Sequence, residues 1–423
     1  MASHSSAFSI LSSIIKNRTS LTQIIKLSYK KFKADYLFTG TEILGTNHVL
    51  ITDQDGIVQE IIDEKNAGEN IQTFQGLLSP GFINCHCHLE LSHMKNLIPE
   101  KTGLVDFVFN VVTQRHFPEE EILDSITKAE DEMIANGIVA VGDICNNTHT
   151  IPQKLKQRID YYNFIEVSGW LPQIAEQRFK KSKEILDVFS IQNSKFKIQN
   201  SLAPHAPYSV SNELWELISP FFQNKTTTIH NQETDFEDLL FINGTGDFTR
   251  MYEMMKIDNS FFKPTGKSSL QSYLQKFNGA SNVLLVHDTF IKDDDNEFIK
   301  FLSKQNQQQF FCCLCVNANT YIENALPPVE KLRQHQFNIT IGTDSLASNW
   351  SLSILDEVKK ISRHFSSIPI SELLQWATIN GAKALQMEDH LGSFERNKKP
   401  GIVLIEGLKN GDLANESTAK RIL

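Results

Sequence analysis

The sequence predicts an α/β chain: a (β/α)8 TIM-type barrel with a small β-sandwich built from both chain ends. Three observations predict this. Short apolar, β-branched runs alternate with helical stretches through the middle of the chain. Polar residues recur at the C-terminal ends of those runs, where a barrel of parallel strands builds its active site. Strand-like segments without intervening helices stand at both ends.

In chain order, residues 1–33 come first. They carry Lys16, Arg18, Lys26, Lys30, Lys31 and Lys33 and no acidic residue, with many Ser and Thr. The composition resembles a transit peptide, but no apolar run and small-residue cleavage site mark a secretory signal. A poorly ordered extension is expected. From Ala34 to about Ser79 the runs Ala34–Phe38, Val49–Thr52 and Ile57–Ile61 are separated by Gly and Asp turns, Asp55-Gly56 among them. Gly401–Ile405 and Ala419–Leu423 are strand-like too. Residues 34–79 and 391–423 are therefore expected to form one β-domain around a barrel of residues 80–390.

Within the barrel the clearest unit starts at Pro118, a residue suited to a helix start, followed by Glu119, Glu120 and Glu121, which favour the helix dipole. Ile122, Ile126, Ala129 and Met133 repeat at helical spacing, and Gly137 stops the helix. Strand candidates lie near residues 82–88, 138–144, 160–167, 197–203, 226–230, 282–287, 310–315 and 338–343. Helical stretches between them argue for a parallel sheet closed into a barrel. The span from Phe236 to Phe277 exceeds a simple βα connection and is expected to place extra helices over the mouth.

Composition narrows the function. The 423 residues are 40% hydrophobic and 22% charged, as in a soluble globular chain, and exceed what one ordinary core needs. A net charge of −9 argues against binding a phosphate backbone. No apolar run is long enough to span a bilayer. Cys85, Cys87, Cys145, Cys312, Cys313 and Cys315 are few and clustered. Buried thiols in a reducing compartment, the cytoplasm, are expected rather than a disulfide framework or a four-cysteine zinc site.

The chemistry sits at strand ends. In Phe82-Ile83-Asn84-Cys85-His86-Cys87-His88 the alternation of a strand points His86 and His88 to one face and the cysteines to the other. Two imidazoles on one face can share a divalent ion. A lone His-x-His is more often two ordinary histidines. His230 after Thr226–Ile229, His287 after Val283–Val286 and Asp344 after Ile339–Thr343 repeat the same setting, which favours a metal site.

These residues, taken together, resemble the amidohydrolase superfamily over roughly residues 34–423. Ser79-Pro80-Gly81 leading to His86-x-His88, then His230-x-x-Glu233, His287 and Thr343-Asp344, follow in the family's order. Ala203–Ser209, Asn317-Ala318-Asn319, Thr343–Asn349 and Leu352–Glu357 narrow the likeness to its aromatic deaminase branch, which includes adenosine, S-adenosylhomocysteine and aminodeoxyfutalosine deaminases, the last most of all. The resemblance implies hydrolysis of a C–N bond, deaminating the adenine ring of a nucleoside such as aminodeoxyfutalosine in menaquinone biosynthesis. Guanine deaminases and triazine hydrolases share the constellation. A non-catalytic assembly protein ranks below these because all expected ligands are present. Two departures stand out, both expected near the mouth: Val316 where a proline is usual and Ser345 where a glycine is usual.

On this likeness His86, His88, His230 and Asp344 would hold one divalent metal, zinc first, with Fe2+ or Mn2+ as alternatives. The ion would lower the pKa of water to about 7 and so supply hydroxide for attack on the ring. Asp344 would also accept the water's proton; its bland alternative is a helix N-cap. Glu233 would shuttle a proton to the ring nitrogen, against a capping-box role. His287 would orient the hydroxide and stabilise charge, and His205, between two prolines, would contact substrate. Glu90, Ser92 and His93 are candidates for the pocket wall or plain loop residues. Lys195 and Lys197 stand at the beginning of the fourth strand, so no bridging lysine occupies its end and one metal is favoured over two. The expected partners are a small aromatic or nucleoside substrate and a second copy of the chain in a homodimer, with no nucleic acid and no membrane.

Overall fold

The computed structural model describes residues 29–193 and 199–423. Residues 1–28, most of the expected extension, lie outside the described residues, as do Lys195 and Lys197. The chain is a mixed α/β structure. It opens with β1 (Lys30–Lys33), β2 (Tyr36–Phe38), β3 (Ile43–Leu44), β4 (His48–Thr52), β5 (Val58–Asp63), β6 (Gln72–Thr73) and β7 (Leu77–Pro80). Strands β8 (Phe82–Cys87), β9 (Ile138–Cys145), β10 (Asp160–Val167) and β11 (Gln199–Pro204) follow. Next come β12 (Thr226–Asn231), β13 (Asn282–His287), β14 (Gln309–Leu314) and β15 (Asn338–Ile341), and the chain ends on β16 (Ile402–Glu406) and β17 (Thr418–Arg421).

Both chain ends share one body. One sheet has the order β5-β4-β1-β6 and another β17-β16-β7-β2-β3. Ile402 to Ile405 of β16 run antiparallel to Pro80 to Leu77 of β7. Phe32, Leu50 and Val58 from the first sheet pack in one cluster with Leu37, Leu78 and Leu404 from the second. The first strand starts at Lys30, inside the stretch expected to be an extension. The reason is Phe32: flanked by Lys31 and Lys33, which bond the Ala67 and Glu69 carbonyls and the Glu64 carboxylate, it is buried in that cluster and anchors the strand. The basic composition had masked this single apolar anchor.

The eight central strands form two four-stranded parallel sheets, β11-β10-β9-β8 and β12-β13-β14-β15. Strands such as β13 (NVLLVH) are buried along their whole length, as strands covered on both faces must be. The sheets touch at both edges. Cys87 bridges in parallel to Asp344, the amides of Thr343 and Asp344 both donate to the His86 carbonyl at 3.0 Å, and the His230 amide donates to the His205 carbonyl at 3.0 Å.

The helix Glu119–Ala135 forms as its sequence requires. Its first turn is acidic, and Ile122, Ile126, Ala129 and Met133 face the core. Gly137, at φ +88°, turns the chain into β9; a Cβ there would meet Val403 Cγ2 at 2.6 Å. Helices Phe236–Asn243, Phe248–Met254 and Ser269–Tyr273 occupy the long span after β12. All six cysteines are buried and unpaired with one another. Among the described residues no helix is long and apolar enough to cross a membrane.

Candidate active site

The strand ends bring four side chains to one point. His86 and His88 stand at the end of β8, His230 is the last residue but one of β12, and Asp344 follows β15. His88 Nε2 lies 3.2 Å from His86 Nε2 and 3.3 Å from His230 Nε2. Asp344 Oδ1 lies 3.3 Å from His88 Nε2 and 3.6 Å from His86 Nε2. One ligand atom from each of the four falls within 4.8 Å of the others. All four residues are buried.

The donor set fits a divalent cation. His230 Nδ1 donates to the His205 carbonyl at 2.7 Å, so its Nε2 turns a lone pair inward. Burial, followed by the neighbouring His86, His205 and His88, pushes His230 well down, and burial likewise lowers His88. Neutral imidazole nitrogens about 3 Å apart repel one another unless a cation or a proton lies between them. Asp344 holds its backbone at φ +58°, a left-handed conformation that aspartate tolerates better than most residues. Ser348 Oγ donates to its Oδ2 at 2.5 Å, which aims Oδ1 at the histidines.

Beside this cluster stands a second pair. Glu233 Oε1 lies 3.5 Å from His287 Nε2, and both side chains are buried. His287 Nδ1 donates to Asn319 Oδ1 at 2.7 Å. Burial lowers the His287 imidazole to about 4, so the ring is neutral near pH 7 and Nε2 is an acceptor. Burial, then the charge of Asp344, pushes the Glu233 carboxyl well up. His287 also has a positive φ, +79°, as do Gln232 at +42° and Asp288 at +50°. Such strain gathers where side chains are held in place for function.

The cavity above the cluster has a volume of about 460 Å3, within the roughly 300–1,000 Å3 of small-molecule sites. His88, His205, His230, Glu233, Asp344 and Ser345 line its floor and wall with Glu166. Leu91, Leu104, Phe107, Val108 and Val111 form an apolar side. The segment after β12 contributes Met251, Tyr252, Met255 and Ile257, and Trp170 stacks on Tyr252 with ring centroids 5.5 Å apart. His205 Nδ1 lies 2.8 Å from Ser209 Oγ.

Some expected contacts differ. Glu90, Ser92 and His93 are not in the cavity wall: Glu90 accepts from the Asn146 amide at 3.0 Å, Ser92 caps the Leu89 carbonyl at 2.7 Å, and His93 Nε2 bonds the Arg115 carbonyl at 3.1 Å. Leu91, between them, points into the cavity instead. Val316, expected near the mouth, is fully buried in the main apolar core, because the helix Val316–Ile322 starts there and turns that side chain inward. Ser345 does line the cavity. Two features were missed from sequence, Glu166 on β10 and a buried pair, Lys154 with Asp143, beneath the His-x-His loop; Asn319, part of the family likeness but given no role there, stands behind His287.

The chain is 25% identical over 387 residues to a 5′-deoxyadenosine deaminase of Methanococcus vannielii, covering 88% of this chain and 82% of that protein. It is 26% identical over 335 residues to an adenosine deaminase of Helicobacter pylori, covering 76% and 77%. A crystal structure of Helicobacter pylori aminofutalosine deaminase with methylthio-coformycin superposes with a TM-score of 0.74 at 23% identity, covering 91% of this chain and 93% of that one. A family model for the amidohydrolase family matches residues 77–422, a span that starts in β7 and takes in every strand end described above. The chain belongs to the amidohydrolase family.

Proposed function

We propose that the protein hydrolytically deaminates an aromatic ring, most narrowly the adenine of a nucleoside such as aminodeoxyfutalosine, adenosine or 5′-deoxyadenosine. The observation that carries this reading is the placement of Glu233 and His287, 3.5 Å apart, beside the four-ligand cluster at the floor of one nucleoside-sized cavity. The deaminase relatives support the substrate class. On this reading the two parallel sheets make one closed (β/α)8 barrel of residues 80–390, and residues 34–79 and 391–423, with β1, make a β-sandwich beside it. Six buried free thiols suit a reducing, cytoplasmic setting.

His86, His88, His230 and Asp344 would hold one divalent ion, zinc by its donor preferences. When bound, it supplies Lewis acidity that lowers the pKa of water to about 7. The rest is done by the chain. Water adds across the C6–N1 bond of the ring, oxygen to carbon and hydrogen to N1. Glu233 carries that proton to N1, which it can do because it stands beside the reacting centre and is shielded from solvent. His287, its tautomer set by Asn319, accepts a hydrogen bond from the attacking water through Nε2 and so orients it. The proton of the newly added hydroxyl then passes to the exocyclic amino group, the exocyclic C6–N bond breaks, and ammonia leaves with the ring now carrying a carbonyl. Apolar walls from Leu91 to Val111 exclude bulk water.

Ammonia release tests the proposal, screened over aminodeoxyfutalosine, adenosine, S-adenosylhomocysteine, guanine and cytosine with zinc-loaded protein. Turnover confined to adenine nucleosides is expected. Turnover of guanine or cytosine alone would overturn the substrate reading.

A further inference from the structure

Glu166 is a buried carboxylate that the mechanism above does not use. It stands one residue before the end of β10, is 9% exposed and lines the cavity, and its Oε1 has no hydrogen-bond partner among the described residues. A carboxylate oxygen of Glu166 lies within 4.8 Å of a ring nitrogen of His205 and of one of His230. An unpaired buried carboxylate is costly, so the position makes sense when a hydrogen-bond donor arrives with a ligand.

A second metal ion is the first alternative, and the chemistry of His230 argues against it. Its Nδ1 is committed to the His205 carbonyl at 2.7 Å, and its Nε2 faces His88 at 3.3 Å within the four-ligand cluster. An imidazole nitrogen has one lone pair. Glu166 and His205 alone fall short of the three or four protein ligands of a bound transition metal.

The remaining donor is on the substrate. Apart from the amino group that is lost, an adenine ring offers acceptors at its nitrogens and no N–H or O–H. A carboxylate that reads an adenine nucleoside must therefore read its sugar. Two hydrogen bonds of roughly 2.8 Å converging on one oxygen at a tetrahedral angle place their outer atoms about 4.6 Å apart. Glu166 and His205, no more than 4.8 Å apart, are both within reach of one hydroxyl. The hydroxyl would donate to the carboxylate. It would accept from a protonated ring nitrogen of His205, whose Nδ1 lies 2.8 Å from Ser209 Oγ.

We propose that Glu166 and His205 form a subsite for a ribose hydroxyl, so that the substrate is a ribonucleoside rather than a free base. This rests on the deaminase reading above. The test compares kcat/KM for adenosine, 2′,3′-dideoxyadenosine and free adenine in zinc-loaded wild type, Glu166→Ala and Glu166→Gln. Metal content and Tm are read on the same preparations. Wild type should prefer adenosine over its dideoxy form by about 10–100-fold, the range of a hydrogen bond to a charged group. That preference should collapse to within a few-fold in Glu166→Ala and shrink in Glu166→Gln, which keeps the side-chain volume, while zinc stays at one per chain. Equal wild-type turnover of adenosine and dideoxyadenosine, or free adenine as the best substrate, would overturn the subsite whatever the variants do. So would a second zinc per wild-type chain lost in Glu166→Ala, or an unchanged preference in both variants. Ammonia release from none of the three compounds, nor from aminodeoxyfutalosine, 5′-deoxyadenosine or S-adenosylhomocysteine, would instead overturn the deaminase reading and the subsite with it.

Discussion

Lys154→Met should destabilise the fold by about 3–5 kcal/mol, the usual cost of removing one partner from a buried ion pair. The Lys154 and Asp143 side chains are 1% and 0% exposed and in direct contact. Burial by itself opposes the Lys154 ammonium. The charge of Asp143, with Cys145, outweighs it and raises the pKa, so the lysine is charged at neutral pH. Lys154 Nζ also donates to Asn163 Oδ1 at 2.6 Å, while Asp143 Oδ1 accepts the Leu89 amide at 2.9 Å. Leu89 directly follows the ligand His88. Methionine fills most of the lysine's volume, so the loss comes from the stranded Asp143 charge rather than from a cavity. Lys154→Met with Asp143→Asn removes that charge and keeps an acceptor for Leu89, and should recover at least half of the loss. The assay is urea unfolding followed by near-ultraviolet circular dichroism, the midpoint shift being multiplied by a common m-value. A single-variant loss below about 1 kcal/mol, or a double variant no more stable than the single, would refute the reasoning.

Two further outcomes are expected. Elemental analysis should find one tightly bound divalent metal per chain, absent from His88→Ala and from Asp344→Ala; two stoichiometric metals, or full retention in both variants, would mean the ligands are misassigned. His390 Nε2 lies 2.9 Å from Asp160 Oδ2, and Asp160 first and Asp389 second raise the imidazole to about 8. A raised histidine pKa stabilises the fold fully below the unfolded value of about 6.5 and loses that contribution as pH rises through about 8. Wild-type Tm should therefore fall slightly between pH 6.5 and 8.5 relative to Asp160→Asn, by a small amount because the pair is half-exposed; identical pH profiles would contradict the assignment.

The sequence revealed those parts of the site that obey a positional rule. His86, His88, His230, His287 and Asp344 each close an apolar run, and strand geometry sends them to one end of the molecule. Glu166 obeys the same rule, one residue before the end of β10, and a carboxylate at that end of the strand was its signal. No recognisable motif surrounds it. Lys154 could not have been found this way. Its partner Asp143 was visible at the end of its strand, but the pairing depends on how the short helix Ile151–Lys154 folds back under β9. Composition misled at β1, where one phenylalanine among lysines outweighs them once buried. Val316 shows that place in sequence near a strand end does not determine which way a side chain turns when a helix begins there.

Glu233→Gln tests the central claim most directly. Gln keeps the shape and hydrogen-bonding capacity of the side chain but cannot carry the proton. The variant should bind zinc at one per chain and melt with wild type, yet lose roughly 10²–10⁴-fold in turnover of whichever adenine nucleoside the screen identifies. Near-wild-type turnover, with metal and Tm unchanged on the same preparation, would contradict the account and remove Glu233 from the mechanism.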